Sequence, residues 1–405
     1  MFHSLWCLGA QRKGMVIKMK DLMADFMLNE EQLAIRDLAR KFSDEQVAPT
    51  AVEMDQKHAY PLEQIRALGE MGLLGSLIPE EFGGTTLGCL ANAVVIEELG
   101  RNSGTLALCV DAHCSLGMVP LLAGGSEAQK KRYLEPAAQG QEILAFGLTE
   151  PQSGSDAGGT RTTAVLDGDE WVINGSKSWI TNAGYADTYM VACKTDPKLR
   201  GSKGISLIIV RKGTPGFEIG KPETKLSVRG SSTCQLFFSD CRVPKENLVG
   251  ELDHGFPYFM KGLDEGRIAI SACSIGMAQG AVERAVRYAK DRVAFGKPIT
   301  EFQGVSFQLA EMETQVAVAR TMLYNVAKMA DAGIPFSKEA AMLKLYASEM
   351  CDNVCRQAIQ VMGGNGISEE YEVERFYRDS KLNTIGEGTS EINKLVIVRH
   401  VLNKY

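Results

Sequence analysis

From about Leu28 the chain sets apolar residues at helical spacing, with Leu33, Ile35, Leu38, Ala39 and Phe42 recurring on one face. Leu62 to Leu74 repeats the pattern. The segment Ile78-Pro-Glu-Glu-Phe-Gly-Gly84 interrupts it with turn residues, and apolar helix resumes over Ala91 to Leu99, Leu106 to Leu122 and Glu127 to Pro136. Near Ile143 the period changes. Short β-branched and aromatic runs (Trp171 to Ile173, Tyr189 to Ala192, Ile205 to Val210, Gln235 to Phe238) alternate with Gly, Asp, Asn and Pro, which predicts a compact antiparallel β domain. From about Tyr258 long amphipathic helices return, over Ile268 to Arg292, Gln303 to Ala332, Ser337 to Met362 and Glu391 to Leu402. Blocks segregated in this way predict an α+β protein: a tail over 1–27, helices over 28–142, strands over 143–255 and a helical bundle over 256–405.

Composition narrows the function classes. A net charge of −6, from 44 basic and 50 acidic residues, argues against a general nucleic-acid binder. Ten cysteines include no CxxC pair, so neither a disulfide framework nor a zinc module is expected. Cys109, His113 and Cys114 form the one cluster that invites a metal, but a buried apolar helix accounts for them better. Free thiols point to a reducing compartment, and the cytoplasm is the expected location. No apolar run reads as a membrane span. Phe2 to Ala10 is weakly apolar, yet Arg12 and Lys13 follow it instead of preceding it, so a secretory signal is not expected. Met15, Met19 and Met23 are all plausible starts.

Three stretches could carry chemistry. Ala145-Phe-Gly-Leu-Thr-Glu-Pro-Gln-Ser-Gly-Ser-Asp-Ala-Gly-Gly159 is dense in Gly and hydroxyl residues as the first strand ends, so its backbone N–H groups can approach a flat or phosphorylated ligand. An ordinary surface turn has the same composition, and no GxGxxG opens a helix. In Asn174-Gly-Ser-Lys-Ser-Trp-Ile-Thr-Asn-Ala-Gly184 the Asn-Gly pair predicts a tight hairpin turn. The strand after it presents Trp179 and Thr181 on one face, which suits an aromatic heterocycle with a polar ring atom, or a core Trp beside a capping Thr. In Gly386-Glu-Gly-Thr-Ser-Glu-Ile-Asn-Lys394 two glycines flank Glu387, and Thr389 or Ser390 reads as the N-cap of the last helix. An exposed loop glutamate is the plain alternative for Glu387.

Taken together and in this order, these stretches resemble the acyl-CoA dehydrogenase family over about residues 28 to 400. The resemblance extends to Pro79-Glu-Glu-Phe-Gly-Gly84, Leu148-Thr-Glu-Pro to Ser155-Asp156, Arg292-Val-Ala-Phe-Gly296, Gln360-Val-Met-Gly-Gly-Asn-Gly366, Tyr377-Arg-Asp and Glu387-Gly-Thr-Ser-Glu391. It implies an N-terminal helical domain, a middle antiparallel β barrel, a C-terminal four-helix bundle, a homotetramer and an FAD cofactor. By the same resemblance Phe146, Leu148, Thr149, Gly154, Ser155, Trp179, Ile180 and Thr181 wrap the flavin. Arg292, Phe295, Gln303, Gln360, Gly363 and Gly364 hold the pyrophosphate and adenine side, partly across a dimer interface, and Thr389 and Glu391 also meet FAD. Ser155, Asp264, Arg267 and Gly388 contact the CoA thioester arm, and Glu387 is the base that takes the α-proton.

Some relatives carry the base on the helix containing Leu263-Asp-Glu-Gly-Arg267, at the position held here by Gly266. Glu265 is one residue off that position and is expected to point elsewhere. The helix around Leu108 to Leu116 lines the acyl cavity in the family, and Asp111 is its odd member. It is either a capped or paired helix residue or a carboxylate facing the acyl group, where it would repel glutaryl-type substrates. A second base at that place would suit 1,4-dehydrogenation of an alicyclic enoyl-CoA. The motifs lean toward short- and branched-chain substrates, with electron-transferring flavoprotein as the family's acceptor. An acyl-CoA oxidase would carry an extra C-terminal domain, a flavin monooxygenase generally lacks the glutamate, and a silent scaffold would not keep base, flavin and CoA motifs together.

Overall fold

A computed structural model describes residues 22–405; the apolar stretch at Phe2 to Ala10 and the starts at Met15 and Met19 lie outside the described residues. Leu22–Met27 forms a first short helix, α1, with Ala24 buried and the Lys328 ammonium donating to the Met27 carbonyl at 2.6 Å. Seven further helices complete the N-terminal part: α2 (Glu30–Phe42), α3 (Ala51–Gln56), α4 (Leu62–Glu70), α5 (Gly88–Gly100), α6 (Gly104–Asp111), α7 (Val119–Gly124) and α8 (Glu127–Ala138). Asn29 and Gln32 close a reciprocal capping box at the start of α2, whose Ile35, Ala39 and Phe42 face the core. The helix expected through Leu74 ends at Glu70, since Gly72 turns left-handed at φ 73°.

Gly104–Gly124 corrects the expectation that nothing is long and apolar enough to span a membrane. It runs through α6, a π-helical stretch over Ala112–Met118 and α7, and its most apolar window is 89% buried by the rest of the fold. It is the central helix of a protein core.

The strands are β1 (Leu144–Gly147), β2 (Thr163–Asp167), β3 (Glu170–Ile180), β4 (Thr188–Lys194), β5 (Ile205–Arg211), β6 (Phe217–Ile219), β7 (Cys234–Pro244) and β8 (Leu248–Val249). They form one sheet in the order β6-β7-β3-β2-β4-β5-β8, with β1 on β4. The sheet is mainly antiparallel, but β1 lies parallel to β4 from Leu144↔Thr188 to Gly147↔Val191, and β2 meets β4 in parallel at Thr163↔Lys194. The Asn174-Gly175 turn predicted from sequence does not form. The chain passes straight through it within β3, with a register shift against β7 between Ile173 and Gly175, and the reversal falls instead at Gly168. Asn174 braces this irregularity by accepting from the Asp240 N–H at 2.8 Å, while a Cβ on Gly175 would sit 2.7 Å from the Thr162 backbone.

The C-terminal part contains α9 (Gly255–Asp291), α10 (Gln303–Asp331), α11 (Ser337–Met362), α12 (Val373–Asn383) and α13 (Ser390–Lys404). α9, of 37 residues, packs on both α5 and α11. Its approach to α5 is set by backbone, because a Cβ on Gly276 or Gly280 would lie 2.1 Å from the carbonyl oxygens of Glu97 and Arg101 respectively. The Asp331 carboxylate caps the other end of this pair, accepting from the Cys89 and Leu90 N–H groups at 2.5 and 3.1 Å. Forcing the helices apart wastes packing on both sides, so Gly276→Ala should lower stability by about 1–3 kcal/mol. Thermal unfolding followed by circular dichroism checks this, with Gly304→Ala, which meets nothing within 4 Å, as the neutral control.

Candidate active site

Glu387 lies in the turn between α12 and α13. Its backbone is held left-handed at φ 56°, followed by Gly388 at φ 96°. Such a conformation is costly for a side chain that branches from the backbone, and here it aims the carboxylate inward. Both carboxylate oxygens are buried and receive no N–H or O–H from a neighbouring donor. Gly266 of α9 leaves the space: a Cβ there would lie 2.4 Å from Glu387 Oε2 and 2.8 Å from Leu116 Cδ2. Glu265, one residue earlier, turns toward Cys89, as expected.

Asp111 faces the same point from the end of α6. It is fully buried, and its two oxygens also lack donors, with the Glu387 carboxylate and the Ser115 hydroxyl as its polar neighbours. Two buried carboxyl groups so placed disfavour both being ionised at once. Burial, then the charge of Glu387, holds Asp111 well above the usual carboxylate range. Burial also raises Glu387, to about 7, against the pull of the Asp111 hydrogen bond and of the Lys344 and Arg267 cations. No cation pairs with Asp111 among the described residues, and the polar side chain beside it other than Glu387 is Ser115.

On the other side of the Glu387 turn, Arg267 donates from Nη1 to Asp264 Oδ1 at 2.6 Å, and the Ser337 hydroxyl donates to the same oxygen at 3.1 Å. Gly388 adjoins Arg267, since a Cβ on it would stand 3.9 Å from Arg267 Nη2. Thr389 is the residue that caps α13, its hydroxyl accepting from the Ile392 N–H at 3.3 Å. The structure therefore gathers Glu387, Asp111, Asp264, Arg267, Gly388 and Thr389, with Glu391 one turn further out.

The loop after β1 is fixed by a buried pair that the sequence reading passed over. Lys177 on β3 donates to Glu150 Oε1 at 2.6 Å and to the Leu148 carbonyl at 3.3 Å. Glu150 also accepts from the Arg161 and Thr162 N–H groups at 2.7 and 2.9 Å, and the Ser178 N–H donates to Thr149 O at 2.9 Å. Leu148 is thereby buried and Thr149 half-buried, while Gly154 and Ser155 stay exposed. Ile180 is buried, Thr181 half-buried, and Trp179 sits at φ 61° with 62% of its surface exposed. Beyond Thr181, Asn182 donates to the Cys109 carbonyl at 2.9 Å and accepts from the Tyr60 hydroxyl at 3.0 Å, tying this strand to the helix of Asp111. Phe146 packs edge-on against Phe259 of α9, ring centres 5.0 Å apart.

The remaining expected contacts lie elsewhere on the chain. Arg292 follows Arg267 by 25 residues along α9, roughly 37 Å at helical rise. Arg292, Tyr288, Asn365 and Tyr371 line a cavity of about 470 Å³. Phe295 is 96% exposed, and Gln303, Gln360, Gly363 and Gly364 are exposed as well. Of the Cys109, His113, Cys114 cluster, His113 and Cys114 are engaged by backbone. His113 Nδ1 accepts from the Leu144 N–H and Nε2 donates to Ala137 O, and the Cys114 thiol donates to Leu74 O.

Sequence profiles of the acyl-CoA dehydrogenase N-terminal, middle and C-terminal domains match residues 29–141, 145–241 and 253–402 respectively. The chain is 43% identical over 373 residues to the short-chain specific acyl-CoA dehydrogenase of Clostridium acetobutylicum, covering 92% of this chain and 98% of that one. The chain belongs to the acyl-CoA dehydrogenase family. Among solved structures it is similar to butyryl-CoA dehydrogenase from Megasphaera elsdenii, with a TM-score of 0.90, 40% identity, and coverage of 93% of this chain and 99% of that one. A chain from work on the electron transferring flavoprotein of Acidaminococcus fermentans matches with a TM-score of 0.91 at 42% identity, covering 93% and 98%.

Acyl-CoA dehydrogenases are FAD-dependent oxidoreductases, and the residues present fit that cofactor. A large indole left in water on a left-handed backbone is a surface that a flat heterocycle would cover. The Lys177–Glu150 pair keeps that surface in shape. Lys177→Met would strand a buried carboxylate, so it should cost about 3–5 kcal/mol and lower the flavin content per chain. Thermal unfolding together with the ratio of flavin to protein absorbance checks both effects.

Proposed function

We propose that this enzyme oxidises a short-chain acyl-CoA such as butyryl-CoA to the 2-enoyl-CoA, with Glu387 as the base. The observation that carries the reading is the Glu387 carboxylate, buried and without a donor in the space that Gly266 leaves open. The short-chain and butyryl-CoA names of the relatives support the substrate size. Branched and alicyclic acyl groups rank behind it. Asp111 reaches the site, yet nothing in the relatives' names supports 1,4-dehydrogenation of a ring.

The α C–H of a thioester is a weak acid, so the base must be close and poorly solvated. Glu387 is poorly solvated, and we assign its own N–H to the thioester carbonyl, where negative charge develops. Arg267, Asp264 and Ser155 would hold the CoA arm. Phe146, Leu148, Thr149, Gly154, Ser155 and Trp179 to Thr181 would hold the flavin, with Thr389 and Glu391 beside it. When bound, FAD supplies the acceptor for the β-hydride.

Arg292 stands roughly 37 Å along the helix from Arg267, so we assign Arg292, Phe295, Gln303, Gln360, Gly363 and Gly364 in part to the FAD of a second copy. Exposed Phe295, Phe307, Ile367, Leu395 and Leu402 support an assembly that covers them. The homotetramer follows as our reading, with electron-transferring flavoprotein as the acceptor and the cytoplasm as the location; the nine buried, unpaired cysteines among the described residues suit a reducing compartment. Light scattering should return four chain masses, and two or one would remove the tetramer.

The purified protein should be yellow and should bleach anaerobically with butyryl-CoA. Glu387→Gln should slow bleaching by on the order of a hundred- to ten-thousand-fold while leaving FAD bound. The base acts only when ionised and burial raises it to about 7, so the wild-type rate should climb as pH rises through that region. Stopped-flow bleaching across pH measures both. Bleaching that survives in the variant would sink the assignment of the base.

A further inference from the structure

We propose that Lys344 is the positioning residue of the Glu387 base, tying down the Gly388 carbonyl and fixing a positive charge beside the carboxylate. The proposal rests on the dehydrogenase reading of this site. Lys344 lies on α11 and is 0% exposed. Its ammonium group donates to Gly388 O at 2.6 Å, and the Asn393 amide donates to the same oxygen at 2.9 Å. No carboxylate among the described residues pairs with Lys344 within ion-pair distance. A buried lysine that meets a carbonyl instead of a counter-ion is expensive to keep, and a plain helix staple does not need the charge.

What it holds explains the cost. Glu387 and Gly388 are consecutive left-handed residues, a conformation that persists only where neighbours impose it. Two donors on one carbonyl impose it here. The charge acts as well. Glu387 is faced by Asp111 from α6, Arg267 from α9 and Lys344 from α11, with the Cys273 thiol of α9 nearby. Lys344 in turn sees Glu387, Arg267, Glu349 and Glu391. Arg267 already shares its charge with Asp264, so Lys344 is the cation whose charge is left for the base. Burial lowers Lys344 to about 8, against the pull of Glu387, so it remains charged at neutral pH. A cation there favours the ionised base, and its removal raises the pH at which the base becomes active.

The test compares wild type, Lys344→Met, Lys344→Gln and Asn393→Ala by anaerobic bleaching with butyryl-CoA from pH 6 to 9, with flavin content and thermal unfolding as folding checks. In Lys344→Met the acid limb of the rate should move up by about one pH unit and the rate at pH 7 should fall by on the order of tenfold or more, with KM little changed. Lys344→Gln keeps a donor for Gly388 O, so it should show the same shift and recover more rate above the limb. Asn393→Ala removes a donor without a charge and should leave the limb in place. Acid limbs unchanged in both Lys344 variants, or an equal shift in Asn393→Ala, would overturn the proposal. Loss of flavin from both Lys344 variants would overturn it too, making Lys344 a folding residue. A wild type that no thioester bleaches would instead sink the dehydrogenase reading.

Discussion

The structure depends on keeping a carboxylate dry without silencing it. A buried acid is pushed toward its neutral form, and a neutral Glu387 could not serve as the base we propose. Three elements from different parts of the chain oppose that tendency: α6 brings Asp111, α9 brings Arg267 and α11 brings Lys344, while the bare backbone of Gly266 leaves the carboxylate its room. None of them is near Glu387 in sequence. The site therefore exists only when the N-terminal helices, the long α9 and the C-terminal bundle are packed together, and the backbone-to-backbone approach of α5 and α9 holds part of that frame.

Much of this was legible in the sequence. Helical and strand periods separated the three parts, because buried faces impose those periods directly. The Gly-flanked Glu387, the hydroxyl-rich loop and Trp179 drew notice only together and in order, since each alone has a plain reading as loop, turn or core residue. Local signals misled where long-range contacts overrode them. Asn174-Gly175 has the composition of a hairpin turn, but its place between β2 and β7 turns it into a bulge. The parallel pairing of β1 and β4 has no local signature at all.

Lys177 and Lys344 were missed for a common reason. Each carries a charge on a buried face: Lys177 next to Ser178 and Ile180 in β3, Lys344 beside Leu343 and Ala340 on the apolar stripe of α11. A lysine in an apolar stripe is a signal, but it names neither its partner nor its purpose. Those became readable only with Glu150 at 2.6 Å from one and the Gly388 carbonyl at 2.6 Å from the other.

Gly266 carries one further consequence. The volume where its side chain would begin is already taken by the end of Glu387. An acid at either position fills the same few cubic ångströms from opposite walls, so the two arrangements exclude each other within one molecule. Moving the base from the loop to the helix is then a paired exchange, glutamate for glycine on one side and a smaller residue for glutamate on the other. A single substitution at 266 alone is a step into a clash, and for that reason the two positions should vary together among related chains.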